Sequence, residues 1–291
     1  MKKYDLHKDG ITQSLLAQYK MCPRKFKFET DGLCGGGSLA REFGSFFHYL
    51  LEQCYKNQCV NIQKEIDKYE FDKTVSTEDA EYCRAYAGVM VPFYMTLYKK
   101  EFAGALGTCS PEIQLDTEFA GFRIRGKIDC AFDKKGKVTL LETKTKGQIP
   151  EDKILNFLPI DWQTLFYDNG YTCQFNKQPE KIIYNVIRFS KKSMKEGIVA
   201  FQEKLLSEVK KNPSYFFMRW ETTYSQKDRD LFQMELQATL CQVEQSFVDD
   251  YFPRNLCACM APYACSFIGL CATGEKTGLL KKSSHFPELE N

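Results

Sequence analysis

Cysteines at both ends of this chain constrain its fold more than any other feature. Cys259, Cys265 and Cys271 follow one another with five residues between neighbours, and Cys22 stands near the start. Four thiolates can hold zinc or an iron–sulfur cluster. A group joining Cys22 to Cys259 would close a loop of 237 residues (259 minus 22). Because cross-links over long loops restrict the unfolded chain most, the sequence predicts a structural clip between its ends.

The spacing of these cysteines favours a cluster over zinc. Structural zinc sites usually place paired ligands two to four residues apart, and none of these gaps is that short. Two alternatives stay open, with Cys257 competing for the place of Cys259 and Cys34 for that of Cys22. Free thiols are the plain alternative, but four cysteines between residues 257 and 271 disfavour it. The scattered cysteines are predicted to be small buried apolar side chains: Cys54, Cys83, Cys130 and Cys241.

Composition bounds the class of protein. No apolar stretch follows the basic start of the chain, and no run approaches the roughly 18 apolar residues of a membrane span. We therefore expect a soluble cytoplasmic protein without disulfides, although it has 13 cysteines. The net charge of +2, from 40 basic and 38 acidic residues, excludes a uniformly basic surface but allows a local basic groove.

The order of predicted elements indicates an α/β (α+β) fold. Its features are a central mixed β-sheet flanked by helices, and a helical lobe inserted before the sheet. The predicted helices cover 11–28, about 38–55, a long segment from 77 to about 100, 161–169 ended by Gly170, 194–210 and 226–249. The predicted strands cover 112–119, 122–132, 137–143, 181–189 and about 216–222. No linker divides the chain, so residues 1–291 are expected to form one domain, with a helical insertion at about 38–105, a core at about 110–190 and a cysteine-rich segment at about 250–275.

Two acidic residues and a lysine occupy the ends of neighbouring predicted strands. Asp129 ends one strand and Glu142 lies toward the end of the next, so a hairpin would bring them together. Paired carboxylates repel unless a cation lies between them, and hard oxygen ligands suit magnesium or manganese. Lys144 lies two residues after Glu142 and shares its face of the strand, where it can stabilise charge on a phosphate under attack. The alternative is a surface hairpin with solvated charges.

A histidine and a glutamine–tyrosine pair add to this pattern. His48 lies on a predicted helix that is otherwise apolar on that side, and the other two histidines lie near the termini. A lone histidine on such a face is usually a core residue, but His48 is the plausible imidazole ligand here. Gln163 and Tyr167 are four residues apart on one helix face, where an exposed amide beside a half-buried ring is the simpler interpretation.

Taken together, these motifs resemble the PD-(D/E)XK nuclease superfamily, and within it the iron–sulfur branch of AddB-type, CRISPR-associated and phage exonucleases. The matching pieces occur in family order: Cys22 in Tyr-x-x-Cys-Pro-x-x-Phe, Gly44-x-x-x-His48, Gly126-x-x-Asp129, Glu142-x-Lys144, Gln163-x-x-x-Tyr167 and the three late cysteines. The proline of the family name is absent. The branch often has a two-residue gap where five residues separate Cys259 from Cys265, which keeps Cys257 open as a ligand.

The resemblance implies a restriction-endonuclease-like core and a role for each motif. His48, Asp129, Glu142 and the carbonyl of Thr143 would hold Mg²⁺ or Mn²⁺. Lys144 would assist the attacking water, with Gln163 and Tyr167 positioning the substrate or the lysine. A [4Fe–4S] cluster would be held by Cys22, Cys259, Cys265 and Cys271.

The implied activity is DNA phosphodiester hydrolysis, with single-stranded DNA or a DNA end as the substrate. Recombination, repair or CRISPR-adaptation proteins are the implied partners, in a protein encoded by a bacterium or phage, and no oligomeric state is implied. Basic residues expected to follow the DNA backbone are Lys20, Arg24, Lys25, Arg123, Arg125 and Lys146; aromatic residues considered for base stacking are Tyr19, Phe26 and Tyr263. Two alternatives are an inactive nucleic-acid-binding module and a zinc-stabilised subunit of a DNA-processing complex.

Overall fold

A mixed β-sheet with helices on both faces forms the centre of the protein, as the sequence predicts. The structure is a computed structural model, and it describes residues 2–56, 61–191, 193–260 and 264–290. Within these ranges six strands form the central sheet in the order β1-β4-β5-β6-β7, with β3 added beside β4. The sheet strands are β1 (Ile11–Thr12), β3 (Thr108–Phe119), β4 (Phe122–Lys134), β5 (Lys137–Lys146), β6 (Lys181–Arg188) and β7 (Phe217–Thr222); β2 (Leu33–Cys34) pairs separately with β8 (Leu280–Lys281).

Strand direction makes the sheet mixed. β3, β4 and β5 form the expected antiparallel meander, β6 runs parallel to β5, and β7 is antiparallel to β6. β1 pairs in parallel with β4 at Ile124 and Arg125. One edge of β4 therefore pairs with β5 over part of its length and with β1 farther along.

The helices are grouped around this sheet. None of those in the described ranges has the length and apolar content needed to cross a membrane. They are α1 (Leu6–Asp9), α2 (Gln13–Met21), α3 (Pro23–Thr30), α4 (Leu39–Lys56), α5 (Ile62–Lys68), α6 (Thr77–Leu97), α7 (Lys99–Phe102), α8 (Glu151–Phe157), α9 (Trp162–Phe175), α10 (Ile198–Lys211), α11 (Pro213–Phe216), α12 (Gln226–Val248) and α13 (Ile268–Thr273).

Two apolar cores cover the two faces of the sheet. On one face α4, α6 and α10 pack Phe43, Tyr86 and Phe201 into a cluster that also contains Leu141. On the other face α2, α9 and α12 pack around Leu140. Because successive side chains of a strand point to opposite faces, these two neighbouring leucines bind β5 into both cores.

The predicted helix over residues 11–28 is wrong in one respect, since the structure has two helices there. Cys22 separates α2 from α3 in an extended conformation, with φ −162° and ψ 109°. Pro23 is the first residue of α3, where its missing N–H costs nothing, whereas inside a continuous helix its ring would clash. The break leaves Cys22 at a helix junction that faces the C-terminal segment.

Gly170 does not end its helix, contrary to the prediction. α9 continues to Phe175 and ends at Asn176, which takes the left-handed conformation with φ 48°. A Cβ atom added to Gly170 would lie 2.8 Å from Cδ1 of Leu115 on β3. This glycine therefore allows α9 to lie close against the sheet, a packing role that the local sequence does not reveal.

Candidate active site

Asp129 and Glu142 lie where β4 and β5 stop pairing. The paired register runs from Lys134–Lys137 to Cys130–Leu141, so the two acidic residues are the next on each strand. The main-chain N–H of Thr143 instead donates to Oδ2 of Asp129 at 2.6 Å. The strands therefore open at the point where both carboxylates lie.

His48 reaches this opening from the helical lobe. Its Nδ1 lies 3.2 Å from Oδ1 of Asp129. A Cβ atom added to Gly44, one turn earlier on α4, would lie 3.1 Å from Oγ1 of Thr145 on β5. The missing side chain at Gly44 thus lets α4 approach the strand closely enough for His48 to meet Asp129.

Lys144 is paired with Glu142 on the same face of β5. Its Nζ lies 2.5 Å from Oε1 of Glu142, whose side chain is only 4% exposed. The other oxygen, Oε2, is buried and has no hydrogen-bond partner among the described residues. A buried carboxylate oxygen without a partner is uncommon in a folded protein and is often explained by an ion or water.

The charges of the site shift the pKa values of its members in different directions. Burial raises the pKa of Glu142 to about 7, against the opposing effect of Lys144. Burial alone would also raise the pKa of Asp129, but His48, Lys144 and the Thr143 N–H together hold it below its ordinary value. Burial would lower the pKa of His48, and Asp129 raises it above its ordinary value. Asp129 thus has its cationic partner, while Glu142 is only partly compensated.

Gln163 and Tyr167 border the same opening from α9. The side-chain amide of Gln163 donates to the Tyr167 hydroxyl at 3.2 Å. A Cβ atom added to Gly126 on β4 would lie 3.2 Å from the Tyr167 ring, so this glycine makes room for the tyrosine. Burial raises the pKa of Tyr167, and both Glu142 and Lys144 act on it electrostatically. The pair therefore lies within the electrostatic reach of the lysine.

The side chains at the opening are of the chemical types that bind a divalent cation, but the distances between them are not those found around a bound ion. In the described parts of the chain, no group of three or more His, Cys, Asp or Glu side chains is spaced as around a bound ion. His48 and Lys144 instead supply positive charge to the two carboxylates. The unpartnered Oε2 of Glu142 remains as an oxygen that a hard cation would satisfy.

Three of the predicted cluster cysteines lie within electrostatic range of Cys259, but in the part of the chain that the structure describes the thiols are not spaced as around a bound metal. Burial raises the pKa of Cys259, and the thiols of Cys265, Cys22 and Cys271, in that order, raise it further. The main-chain N–H of Cys265 donates to the Cys259 carbonyl at 2.8 Å. The competing Cys257 is exposed. Among the scattered cysteines, Cys54, Cys83 and Cys130 are buried as predicted, but Cys241 is exposed on α12, so that prediction is wrong for it.

Hydrogen bonds join the two ends of the chain around Cys22. The Asn255 side chain donates to the Met21 carbonyl at 2.8 Å, and its main-chain N–H lies 3.5 Å from Sγ of Cys22. Nε of Arg24 donates to the Phe252 carbonyl at 2.9 Å. The α2–α3 junction is therefore fixed to the segment that leads into the late cysteines.

The predicted backbone-tracking residues fall into three pairs. Nζ of Lys20 lies 3.2 Å from the ring centroid of Trp162, at the start of α9, and Lys146 lies on β5 beyond Lys144. Arg123 makes two 2.6 Å hydrogen bonds to Asp116, and Arg125 lies 3.7 Å from the same carboxylate. Arg24 bonds the chain itself, as described above, and Lys25 is half-buried on α3. Lys20 thus contacts the first residue of α9, and Lys146 lies on the strand that carries Glu142 and Lys144.

The aromatic residues considered for base stacking lie elsewhere. Tyr19 and Phe26 are buried in the core beneath α12. Tyr263 lies outside the described residues.

Comparison with known families shows which superfamily the chain belongs to. The sequence profile of the PD-(D/E)XK nuclease superfamily matches residues 11–272, which is most of the chain. The chain belongs to the PD-(D/E)XK nuclease superfamily. A comparison with curated proteins gave no match.

One solved structure shares the fold of this chain. A protein from Eubacterium rectale, named as a candidate exonuclease, has 9% sequence identity and a TM-score of 0.51 over 87% of this chain and 88% of its own. At that identity the likeness shows the fold alone. Two further structures are too distant to support an argument. The protein SSO0001 has 13% sequence identity and a TM-score of 0.30 over 78% of this chain and 84% of its own. Protein VC1899 from Vibrio cholerae has 12% sequence identity and a TM-score of 0.22 over 79% of this chain and 57% of its own.

A buried polar network lies behind the active-site strand of this nuclease. Nδ2 of Asn185 on β6 donates to Oγ1 of Thr143 at 3.2 Å. Nε of Arg219 on β7 donates to Oδ1 of Asn185 at 2.9 Å, and its Nη1 donates to Glu101 at 2.5 Å. Tyr94 accepts from both Asn185 and Arg219. The network therefore connects the helical lobe, through β7 and β6, to the residue between Glu142 and Lys144.

Sequence reasoning missed this network, although one signal for it was present. Asn185 interrupts the apolar run Ile182–Ile187, and a polar residue inside a buried strand requires hydrogen-bond partners. The partners Arg219 and Glu101 lie far away in sequence and carry no local pattern.

Glu112 is a second residue that sequence reasoning missed. It lies across from Asp129, between the register pairs Pro111–Cys130 and Ile113–Ile128, and has φ 53°. Its carboxylate lies 2.5 Å from Nζ of Lys127. Burial raises the pKa of Glu112 while Lys127 opposes this effect. The distortion of β3 therefore occurs directly beside the site.

Thr143→Val tests whether the network holds the active-site strand. The substitution keeps the shape and main chain of residue 143 but removes the acceptor of the Asn185 amide, which should lower the free energy of unfolding by about 1–2 kcal/mol. Urea unfolding measures this change, and Thr117→Val on β3 is the matched control, with a change within about 0.5 kcal/mol. A double-mutant cycle with Asn185→Ala should give a coupling of about 1 kcal/mol; strict additivity would contradict the assigned bond.

Proposed function

We propose that this chain is a metal-dependent deoxyribonuclease that hydrolyses phosphodiester bonds at the opening between β4 and β5. The observation that carries this proposal is the buried, unpartnered Oε2 of Glu142 beside Asp129. Two adjacent carboxylates, of which Glu142 is buried and Asp129 half-buried, are stable together only when positive charge compensates them. In a nuclease superfamily, a divalent cation is the species that provides that charge and also acts on a phosphate.

The proposed ligands come from three elements. Asp129 and Glu142 offer carboxylate oxygens, Thr143 offers its main-chain carbonyl, and His48 offers an imidazole that must lose its proton to bind. When bound, Mg²⁺ or Mn²⁺ would neutralise charge on the scissile phosphate and make the attacking water more acidic.

The neighbouring side chains would orient the reactants. Lys144 is held by Glu142 and can donate hydrogen bonds to the attacking water or to a phosphate oxygen. Tyr167 accepts a hydrogen bond from Gln163 and fits into the space at Gly126, from where it acts electrostatically on Lys144. Burial would lower the pKa of Lys144, but Glu142 and Tyr167 raise it above its ordinary value, so the lysine would stay charged beside the phosphate.

Single-stranded DNA or a DNA end is the proposed substrate. The net charge of +2 gives no general attraction to duplex DNA, so binding would depend on cations near the site. The cations proposed to bind it are Lys146, two residues beyond Lys144 on β5, and Lys20, which lies over the ring of Trp162.

Cleavage of labelled DNA with Mn²⁺ tests the proposed activity. Lys144→Ala and Glu142→Gln should each lower the rate at least about 100-fold, because each removes a charge that the transition state needs. Lys137→Ala is the matched control, since this lysine lies on the same strand but pairs with Glu180 at 2.7 Å. Persistent cleavage by both active-site variants would refute the assigned centre. DNA binding without any cleavage by the wild type would favour an inactive binding module.

We further propose that Cys22, Cys259, Cys265 and Cys271 hold a [4Fe–4S] cluster. Support comes from the electrostatic proximity of the four thiols and from the hydrogen bonds that join the two ends of the chain. Such a cluster would have a structural role, since it connects the α2–α3 junction to the C-terminal segment.

Anaerobic purification followed by metal analysis and visible absorption tests the cluster. Iron and sulfide should be present in wild-type protein and in Cys257→Ser, and lost in Cys259→Ser. Loss of the cross-link should lower the melting temperature by roughly 5–10 °C, or about 2–3 kcal/mol. Zinc without iron would decide for the zinc alternative, and cluster loss in Cys257→Ser alone would reverse the ligand assignment.

A further inference from the structure

A cavity of about 680 Å³ opens beside the proposed active site. It lies between β5, β6 and the segment of α8 that precedes α9. Its walls include Lys146, Lys153, Ile154, Phe157, Asp161 and Tyr184. None of these residues except Lys146 belongs to the catalytic or DNA-binding sets considered above.

Two strands, β5 and β6, carry both walls of the cavity and residues beside the proposed catalytic centre. Tyr184 is the register partner of Glu142 on the neighbouring strand, so the two side chains share a face of the sheet. Lys146 follows Lys144 by two residues, which places it about 7 Å farther along that face. Burial raises the pKa of Tyr184 to about 12, and both Lys144 and Glu142 act on it electrostatically. A ligand that fills the cavity would therefore lie beside the strand positions that carry Glu142 and Lys144.

The walls combine apolar surfaces with two lysines and one carboxylate, that of Asp161, which accepts a hydrogen bond from the Thr164 N–H at the start of α9. Three apolar side chains near the cavity are well exposed, with Leu155 at 51%, Phe157 at 53% and Ile160 at 67%. Such a concentration of exposed apolar residues often marks a binding surface. Nζ of Lys146 lies 5.6 Å from the Tyr184 ring centroid, and Lys153 adds a second cation. A flat ring attached to a phosphate matches this combination of surfaces.

We propose that this cavity binds an unpaired nucleobase of the substrate strand, next to the phosphate that is cleaved. The proposal rests on the nuclease function above and names its substrate class as single-stranded DNA. A base inside a duplex is stacked and paired, and it must be flipped out before it can enter such a cavity. The base would contact Phe157 and the apolar wall, while Lys146 and Lys153 would bind the adjoining phosphates.

Binding measurements can test this without any cleavage. Fluorescence anisotropy would follow a labelled single-stranded oligonucleotide on full-length Lys144→Ala protein. Phe157→Ala in that background should weaken binding roughly tenfold, the effect of losing one stacked base. Phe175→Ala, which removes a similarly exposed ring on α9, is the matched control and should leave the affinity unchanged.

Abasic substitutions in the oligonucleotide provide a second arm that changes no protein residue. One abasic position should weaken binding as much as Phe157→Ala does, and the two changes together should cost no more than either alone. Fully additive losses, or an equal effect of Phe157→Ala on blunt duplex DNA, would overturn the proposal. Unchanged single-strand affinity in Phe157→Ala would also overturn it and would assign the cavity to another ligand, such as a protein segment.

The failure of this proposal is distinguishable from the failure of the nuclease function. A protein that binds bases in the cavity but never cuts DNA would refute only the function. A protein that cuts single strands and blunt duplexes equally well, with no abasic effect, would refute only the cavity assignment.

Discussion

A buried carboxylate, Glu142, and a half-buried one, Asp129, lie side by side where two strands of the sheet separate, and the rest of the site is arranged around their charge. Desolvation raises the pKa of Glu142, while cationic neighbours hold that of Asp129 below its ordinary value. The fold provides these neighbours from two directions, with His48 arriving on α4 and Lys144 on β5. Glycines at residues 44 and 126 remove the side chains that would keep α4 and Tyr167 away. The charge of the site and the close packing around it therefore depend on each other.

The two faces of strand β5 contribute differently to the site, one with charged side chains and the other with a hydrogen bond to the neighbouring strand. Glu142 and Lys144 point to the opening, whereas Thr143 between them is held from behind by Asn185. Arg219 extends this support to Glu101 in the helical lobe, which also carries His48 on α4. The lobe thus contributes both a side chain to the site and an anchor for the strand. Buried polar networks of this kind rigidify a structure only when their members have hydrogen-bond partners. Asn185 and Arg219 both have such partners here.

The sequence predicts the central parts of the site because they depend on local rules. A short turn brings Asp129 and Glu142 together, and strand alternation places Lys144 beside Glu142. The mixed sheet also follows from the order of apolar segments. Other features depend on contacts between distant segments, which no local pattern encodes. The local sequence predicts that Gly170 ends a helix, whereas its role is to let α9 pack closely against Leu115. Two hydrogen-bond partners of Asn185, Tyr94 and Arg219, lie far from it in the sequence. The break at Cys22 can be predicted from the sequence, because Pro23 would disrupt a helix that continued through it.

The convergence of His48, Asp129 and Glu142 on one ion is the central claim, and crystallography with Mn²⁺ tests it most directly. Anomalous scattering from crystals grown with Mn²⁺ should show a single strong peak within about 2.6 Å of a carboxylate oxygen of both Asp129 and Glu142, with the His48 imidazole turned toward it. The same peak should lie near the Thr143 carbonyl. Density for manganese elsewhere, with Lys144 still bound to Glu142 and no peak between the two carboxylates, would contradict the account.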